Sequence, residues 1–317
     1  MFLCVSPNPA IDKRITLPSL VPGEIHRAFT VQSFPGGKST HVAMVLRTLG
    51  EKPHWIGLCG GAAGEQLVSG LRALKIEPHP CATNVETRTN LEIIDDTGNV
   101  TEIREPGTAP SAVELAAFEH TCRKLFEQGR ESVNVIFSGS LPDGVSQDLY
   151  ARLITLARAS RCRTFLDTGG EALRLALAAA PDFVKPNRDE ATALLGSPIN
   201  SAESAARAIS QLLSLGARSA ALSLGADGLL FCAAKNDPVL FAPALKLQPR
   251  STVGCGDAAL AGFTMAISLG LTALKPLTLA AACAAANCLA NSPGAAPRGD
   301  IQKFLRQIHA QTLPSGS

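Results

Sequence analysis

Short apolar runs alternate with longer amphipathic segments over most of this chain, and this alternation is what most restricts its fold. From residue 111 onward, helices are predicted at 111–129 and 146–161, and strands at 132–137 and 164–167. The alternation continues to about residue 310. Strands that alternate with helices usually form a parallel sheet that is covered on both faces. The sequence therefore predicts an α/β fold with a mainly parallel sheet between two helical layers.

Polar residues cluster where several of the predicted strands end. Ser138 begins one cluster, Lys185 and Asn187 form a second with Glu190 close behind, and residues 223–228 form a third. Ligands bind at the carboxyl ends of the strands in sheets of this class. We therefore expect these clusters to surround one binding site.

The stretch Gly254-Cys255-Gly256-Asp257 precedes a helix that is rich in small residues. Glycines let the backbone approach a ligand closely, and a helix N-terminus offers unpaired N–H groups and a partial positive charge. Such a site can hold a phosphate or a transferring phosphoryl group, and Asp257 could accept a proton there. The alternative is a glycine turn with Asp257 as the N-cap of the helix. These residues alone leave both interpretations open.

The N-terminal region adds further candidate binding residues. A buried strand over 2–5 leads into a proline-containing loop, and Asp12 follows as a turn residue or as an acceptor for the hydroxyls of a polyol. Gly36-Gly37-Lys38 then precedes a helix, where Lys38 would be a charged ligand contact. This is not a Walker A loop, because that motif requires a glycine at position 32, which is Gln32.

A β-hairpin is predicted from the strands 87–94 and 100–104, and it carries Arg88 and Arg104. Arginines on a hairpin are commonly solvated surface charges. They can also hold an anionic substrate through paired hydrogen bonds.

Composition excludes several classes of function. The chain has 317 residues and a formal net charge of +2, so no surface for a polyanion such as a nucleic acid is indicated. Its nine cysteines show neither metal-ligand nor disulfide spacing, which predicts reduced thiols in a cytoplasmic protein. The uncharged segments 258–274 and 276–297 are rich in alanine, and they are interpreted as buried helices, with no membrane span.

Five stretches, in this order, resemble the PfkB carbohydrate kinase family, which has the ribokinase fold. They are Ser6–Asp12, Gly36–Lys38, Lys185–Glu190, Ser223–Gly228 and Thr252–Asp257. The resemblance covers nearly the whole chain and implies a single ribokinase-like kinase domain over 1–317. It also implies a small β-sheet lid from about 12–34 and 86–105, through which members often dimerise. The beginning of the chain and residues 138–142 are most similar to the hexose-phosphate branch, which includes the 1-phosphofructokinases and tagatose-6-phosphate kinases.

What the resemblance implies is ATP-dependent phosphorylation of a phosphorylated ketohexose, with fructose 1-phosphate converted to fructose 1,6-bisphosphate. Asp257 would be the base, and the backbone N–H groups of Gly254, Cys255 and Gly256 would stabilise the transferring phosphoryl group. The sugar phosphate would meet Asp12, Gly36, Gly37, Lys38, His41, Arg88, Arg104 and Ser138. The nucleotide would meet Lys185, Asn187, Ser223, Gly225, Gly228 and Gly256. Asn187 and Glu190 would help to hold Mg²⁺ through water.

The chain departs from the pattern of this branch at three positions. Ser39 replaces a glycine, His41 replaces an asparagine that contacts the sugar in the family, and Cys255 replaces a common alanine. Histidine is larger than asparagine and can carry a charge near neutral pH. These departures leave the preferred sugar phosphate open between fructose 1-phosphate, tagatose 6-phosphate and fructose 6-phosphate. Further alternatives are a kinase for an unphosphorylated sugar or nucleoside, and a nucleotide-binding regulator without turnover.

Overall fold

A computed structural model of the protein describes residues 1–128 and 133–313. The ends of the predicted helix 111–129 and strand 132–137 reach positions 129 and 132, which lie outside the described residues. A ten-stranded sheet runs through the molecule in the order β14-β13-β12-β11-β10-β9-β8-β1-β4-β5. Its strands are β1 Phe2–Ser6, β4 His54–Cys59, β5 Glu77–Ala82, β8 Asn134–Ser138, β9 Arg163–Asp167, β10 Phe183–Val184, β11 Ser219–Ser223, β12 Leu229–Cys232, β13 Leu240–Ala242 and β14 Gln311–Thr312.

Within this sheet, the seven neighbouring strands β11, β10, β9, β8, β1, β4 and β5 are parallel to one another. Strands β12, β13 and β14 continue the sheet antiparallel at one edge. Strand β1 lies between β8 and β4 and is buried along its whole length. Its alternate side chains enter different cores: Leu3 and Val5 pack on one face of the sheet, and Phe2 and Cys4 pack on the other. This is the burial expected of a central parallel strand.

Helices cover both faces. One core is built with α3, α4, α5, α6 and α7, and the other with α1, α2, α8, α9 and α10. The helices are α1 Lys38–Thr48, α2 Gly61–Ala73, α3 Ala112–Gln128, α4 Leu149–Ala159, α5 Gly170–Ala178, α6 Arg188–Leu195, α7 Ala202–Ser214, α8 Cys255–Ser268, α9 Lys275–Cys288 and α10 Arg298–Leu305. The predicted three-layer α/β/α fold is therefore confirmed.

The two alanine-rich segments form α8 and α9, which pack closely together. A side chain at Gly262 would bring its Cβ to 2.6 Å from the Cα of Ala280, so only glycine permits this approach. Small residues therefore allow the two backbones to meet in the core. Among the described residues, no helix combines the length and the hydrophobicity that a bilayer crossing requires.

A second sheet of four strands has the order β3-β2-β6-β7. Its strands are β2 Ala10–Leu17, β3 Thr30–Gly36, β6 Arg88–Asp95 and β7 Val100–Arg104. Strand β2 pairs antiparallel with β3 and parallel with β6, and β6 and β7 form the predicted hairpin. Val31 and Ile103 leave 57% and 53% of their surface exposed on this sheet. The smaller sheet therefore presents apolar side chains to solvent.

Two elements differ from what the local sequence indicates. The glycines at 60, 61 and 64 are typical of a turn, but α2 already begins at Gly61. Strand β5 was not predicted, because Pro78 and Pro80 interrupt it. The strand forms nonetheless because β5 lies at the edge of the sheet, where proline is tolerated.

Candidate active site

A cavity of about 1330 Å³ lies where the carboxyl ends of the parallel strands face the four-stranded sheet. Residues from all five of the motif stretches line it, including Asp12, Lys38, Asn187, Gly225 and Asp257. The chain thus brings Asp12 and Asp257, which are 245 positions apart, to one cavity, as the rule for parallel sheets predicted.

The beginning of helix α8 lines this cavity. Gly254 is its N-cap, with a φ of 78° that favours glycine, and Asp257 lies in the first turn with 5% of its surface exposed. The alternative role of Asp257 as the N-cap is therefore excluded. The N–H of Cys255 donates to the carbonyl of Thr252 at 3.2 Å. The next N–H groups of the first turn belong to Gly256 and Asp257, which line the cavity, and they have no partner within the helix.

His41 joins the carboxylates of Asp257 and Asp12. Its Nδ1 lies 2.8 Å from Oδ2 of Asp257, and its Nε2 lies 2.7 Å from Oδ2 of Asp12. Because each ring nitrogen faces a carboxylate, both must donate and the ring is an imidazolium. Burial opposes this charge, but the two carboxylates outweigh it and raise the pKa of His41 from 6.5 to about 10. His41 is therefore a buried cation next to the candidate base.

Asp12 is held from two sides. Its Oδ1 accepts a hydrogen bond of 2.9 Å from Asn90. Burial alone would raise the pKa of Asp12, but His41 and Asn90 outweigh burial and lower this pKa. Asp12 is thus an ionised acceptor at the wall of the cavity. Gly36 ends β3 opposite Ala10 and packs against Asp12, and Gly37 lines the cavity as the N-cap of α1.

Arg88 and Arg104 lie on the wall of the cavity formed by the smaller sheet. Arg88 donates to the carbonyls of Glu105 and Asn8, while its buried Nε has no hydrogen-bond partner among the described residues. Burial lowers the pKa of Arg88, and the neighbouring charge of Arg104 acts in the same direction. Arg104 pairs with Glu102 and is 61% exposed. Two adjacent cations, one with an unsatisfied donor, suit a bound anion.

Lys38 and Lys185 converge on Asp167 at the end of β9. Lys185 Nζ lies 2.8 Å from Oδ2 of Asp167. Lys38 Nζ lies 3.3 Å from Oδ1 of the same aspartate and 3.4 Å from Oε1 of Glu190. Burial opposes the charge of Asp167, but the two lysines outweigh burial and lower its pKa. Asp167 was not among the predicted site residues. Its position at the carboxyl end of a buried strand was the signal that could have found it.

Asn187 and Glu190 form the capping box of α6. Oδ1 of Asn187 accepts from the N–H of Glu190 at 2.8 Å, and Oε2 of Glu190 accepts from the N–H of Asn187 at 2.8 Å. Within the described part of the chain, no group of three or more His, Cys, Asp or Glu side chains is arranged around a metal. A Mg²⁺ that keeps most of its water and binds through phosphates and one carboxylate would use Oε1 of Glu190, which in this structure pairs with Lys38 at 3.4 Å.

The predicted nucleotide loop follows β11. Ser223 pairs with Asn187 through an isolated bridge, residues 225–227 form a 3₁₀ turn, and Gly228 leads into β12. Ser223, Gly225 and Gly228 all line the cavity. Ser138 does not line it: this serine is buried, and its neighbours Gly139 and Ser140 form the wall instead.

Two buried polar groups that the sequence did not single out hold the segment before α8. Glu92 pairs with Arg14 at 2.7 Å and accepts a hydrogen bond of 2.5 Å from Ser251. Asn287 donates to the carbonyl of Val253 at 2.8 Å and accepts from the N–H of Gly294 at 2.7 Å. The segment 251–254 is therefore fixed both from the smaller sheet and from α9.

This fold and this cavity belong to a carbohydrate kinase. Residues 8–298 match the pfkB family carbohydrate kinases, and the chain belongs to that family. Among its relatives are the 1-phosphofructokinase of Rhodobacter capsulatus, 33% identical over 98% of this chain and 97% of that protein, and the 1-phosphofructokinase of Xanthomonas campestris pv. campestris, 34% identical over 86% of each. The structure of phosphofructokinase-2 from Escherichia coli in complex with substrates and products superposes with a TM-score of 0.89 at 26% identity, covering 97% of this chain and 98% of that one.

Proposed function

We propose that this protein is an ATP-dependent kinase that converts fructose 1-phosphate to fructose 1,6-bisphosphate. The observation that carries the proposal is the position of Asp257, which lies at the N-terminus of α8 in the same cavity as the glycine-containing loop at 225–228 and the basic wall at Arg88 and Arg104. Relatives that share about a third of their residues with this chain over most of its length are named for that activity.

The reaction requires positioning and charge neutralisation more than covalent chemistry. Asp257 accepts the proton of the acceptor hydroxyl, the hydroxyl oxygen forms a bond to the γ-phosphorus, and the bond to the β-phosphate oxygen breaks. The N–H groups of Gly254, Cys255 and Gly256 stabilise the transferring group. The N–H of Cys255 must exchange its bond to Thr252 for this role.

The acceptor would lie against the smaller sheet. Asp12 accepts hydrogen bonds from sugar hydroxyls, His41 contacts the sugar beside it, and Arg88 holds the phosphate that the sugar already carries, with Arg104 at the mouth. Gly37 lines this side of the cavity, and Gly36 and Ser138 support it from behind. An anchoring phosphate supplies binding energy that fixes the reacting hydroxyl at Asp257.

The donor would be ATP. Its phosphates lie between Lys185, Asn187 and Gly256, and Ser223, Gly225 and Gly228 form the loop that receives the rest of the nucleotide. Lys38, now paired with Asp167 and Glu190, can shift to a phosphate oxygen between the two substrates. Mg²⁺, held through water by Asn187 and Glu190, would neutralise the charge on the β- and γ-phosphates when bound.

The decisive experiment measures ADP release with fructose 1-phosphate, fructose 6-phosphate, tagatose 6-phosphate and free fructose as acceptors. We expect the highest kcat/KM with fructose 1-phosphate. Asp257→Asn should keep ATP binding and lose at least about 10³-fold in kcat, because the base is removed, while Asp237→Asn, an exposed control, should match the wild type. Near-normal turnover by Asp257→Asn would refute the assigned base.

Phosphorylation of fructose 6-phosphate is the second candidate activity, since the superposable phosphofructokinase-2 structures include one in complex with fructose 6-phosphate. A higher kcat/KM with fructose 6-phosphate or tagatose 6-phosphate would move the assignment to that substrate. Binding of ATP without ADP release for any acceptor would identify a regulator without turnover.

We also propose a homodimer formed through the smaller sheet, whose exposed Val31 and Ile103 offer an apolar surface. Sedimentation equilibrium should give a dimer for the wild type and a monomer for Ile103→Lys. A monomeric wild type would exclude this interface. A cytoplasmic location is supported by the nine free cysteines, and fractionation of cells would test it.

A further inference from the structure

Two cysteines meet at the start of helix α8. The sulfur of Cys255 lies 2.9 Å from the sulfur of Cys288, although the residues are 33 positions apart. Both side chains are partly exposed and line the cavity, whereas the other seven cysteines are buried. These are therefore the two thiols that a small molecule in the cavity can reach.

The pair connects the two ends of the segment that carries the reaction centre. The carbonyl of Cys288 accepts a hydrogen bond of 2.8 Å from the N–H of Arg250, at the beginning of the segment. Cys255 is the first residue of α8 and lies at the end of this segment. Nδ2 of Asn287 lies 3.5 Å from the Cys255 sulfur. A change in the bonding between the two sulfurs is thus transmitted to residues 250–256.

The two thiols are not equivalent. The hydrogen bond from the Cys255 thiol lowers the pKa of Cys288, although burial opposes this, while the pKa of Cys255 is raised. Because the thiolate is the reactive form, Cys288 is the nucleophile of the pair and Cys255 is the second thiol that resolves its product.

We infer that Cys255 and Cys288 are a peroxide-sensitive dithiol that closes to a disulfide and thereby inactivates the protein. The Cys288 thiolate attacks hydrogen peroxide, so that an S–O bond forms, the O–O bond breaks and the hydroxide released becomes water. The Cys255 sulfur then attacks the sulfenic sulfur, an S–S bond forms, and the hydroxyl leaves as water with the Cys255 proton. Two thiols are oxidised by two electrons, and one peroxide is reduced to two molecules of water.

Inactivation follows from the location of the bond. A covalent bond draws the sulfurs closer than their present contact. The shift falls on Cys255, between Gly254 and Gly256, whose N–H groups face the transferring group in the proposed function. Displacement of reacting groups by about 1 Å can reduce turnover about 10²-fold. The activity readout rests on the proposed kinase function, whereas the formation of the bond does not.

The experiment treats the reduced full-length protein with hydrogen peroxide, blocks free thiols with iodoacetamide and analyses peptides by mass spectrometry, in parallel with ADP release. We expect a cross-linked 255–288 peptide, an activity loss of more than about tenfold and recovery with dithiothreitol. Cys288→Ser should yield no cross-link and keep its own untreated activity after peroxide. Cys232→Ser, which removes a buried thiol of β12 that does not line the cavity, should respond like the wild type.

Three results would overturn the inference. One is a peroxide-treated wild type without the 255–288 cross-link, and another is a cross-linked protein that keeps full activity. The third is a Cys288→Ser protein that loses activity reversibly to the same extent as the wild type. If Cys288→Ser fails to fold, Cys288→Ala serves in its place. A reduced wild type without ADP release would refute the proposed function, and the cross-linked peptide would still decide whether the dithiol closes.

Discussion

Replacement of His41 by asparagine removes a buried cation while it restores the residue found in the related branch. In the wild type the ring donates to Asp12 and Asp257, and only 4% of His41 is exposed. The rise of its pKa from 6.5 to about 10 corresponds to about 5 kcal/mol of preference for the charged ring in the folded protein.

The sign of the pH dependence follows from the direction of this pKa change. The folded protein keeps the proton that the unfolded chain releases above pH 6.5, so the stabilisation is complete below about pH 6.5 and is lost as the pH rises towards 10. Between these limits the free energy of unfolding should fall by about 1.4 kcal/mol per pH unit relative to the variant. The difference between wild type and His41→Asn should therefore shrink by about 3 kcal/mol from pH 7 to pH 9.

Urea unfolding measures this difference, since the fluorescence of the single, fully buried Trp55 reports on the folded core. His120→Asn, at an exposed position on α3, is the control, and its difference from the wild type should not depend on pH in the same way. A wild-type advantage over His41→Asn that stays constant or increases between pH 7 and pH 9 would refute the assignment of a charged His41.

Three further substitutions test other parts of the site. Arg88→Ala should raise the KM for the sugar phosphate by about tenfold or more and leave the KM for ATP within about twofold, because the proposed function assigns this guanidinium to the sugar phosphate alone. An equal rise in both constants would remove Arg88 from the sugar side. Asp167→Asn should lower the free energy of unfolding by about 3 kcal/mol, as measured in urea, because Lys185 would keep a buried charge without its partner; a loss below about 1 kcal/mol would show that the pair contributes little. Gly254→Ala should reduce kcat more than it reduces ATP affinity. The added Cβ would lie 3.2 Å from Gly294 N, and the positive φ at this position strains alanine. An unchanged kcat in steady-state assays would show that the reaction does not depend on the backbone conformation at Gly254.

The alternation of strands and helices was sufficient to predict the three-layer fold, because burial on both faces of a parallel sheet is recorded in short apolar runs such as 2–5 and 132–137. The hairpin at 88–104 was predicted from local alternation alone. Strand β5 could not be predicted in this way, since its pairing with β4 depends on neighbours distant in sequence and its prolines argue against a strand.

The sequence predicted the lining of the site better than its internal contacts. Motifs that follow strands indicated which residues line the cavity. The roles of those residues in binding and catalysis stay predictions. The contacts of His41 with Asp12 and Asp257, and of Cys255 with Cys288, join residues between 29 and 216 positions apart. No local pattern encodes such pairs, because they arise only when separate elements pack against one another.

The buried contact between the smaller sheet and the segment before α8 limits how this protein can be redesigned. Arg14 lies on β2 and Glu92 on β6, yet Glu92 also binds Ser251 next to the reaction centre. A transplanted sheet that carried only one of Arg14 and Glu92 would leave a buried charge unmatched. A sheet without Glu92 would leave the buried Ser251 hydroxyl without its acceptor. The smaller sheet and the segment 251–254 therefore have to be exchanged together in a redesigned protein.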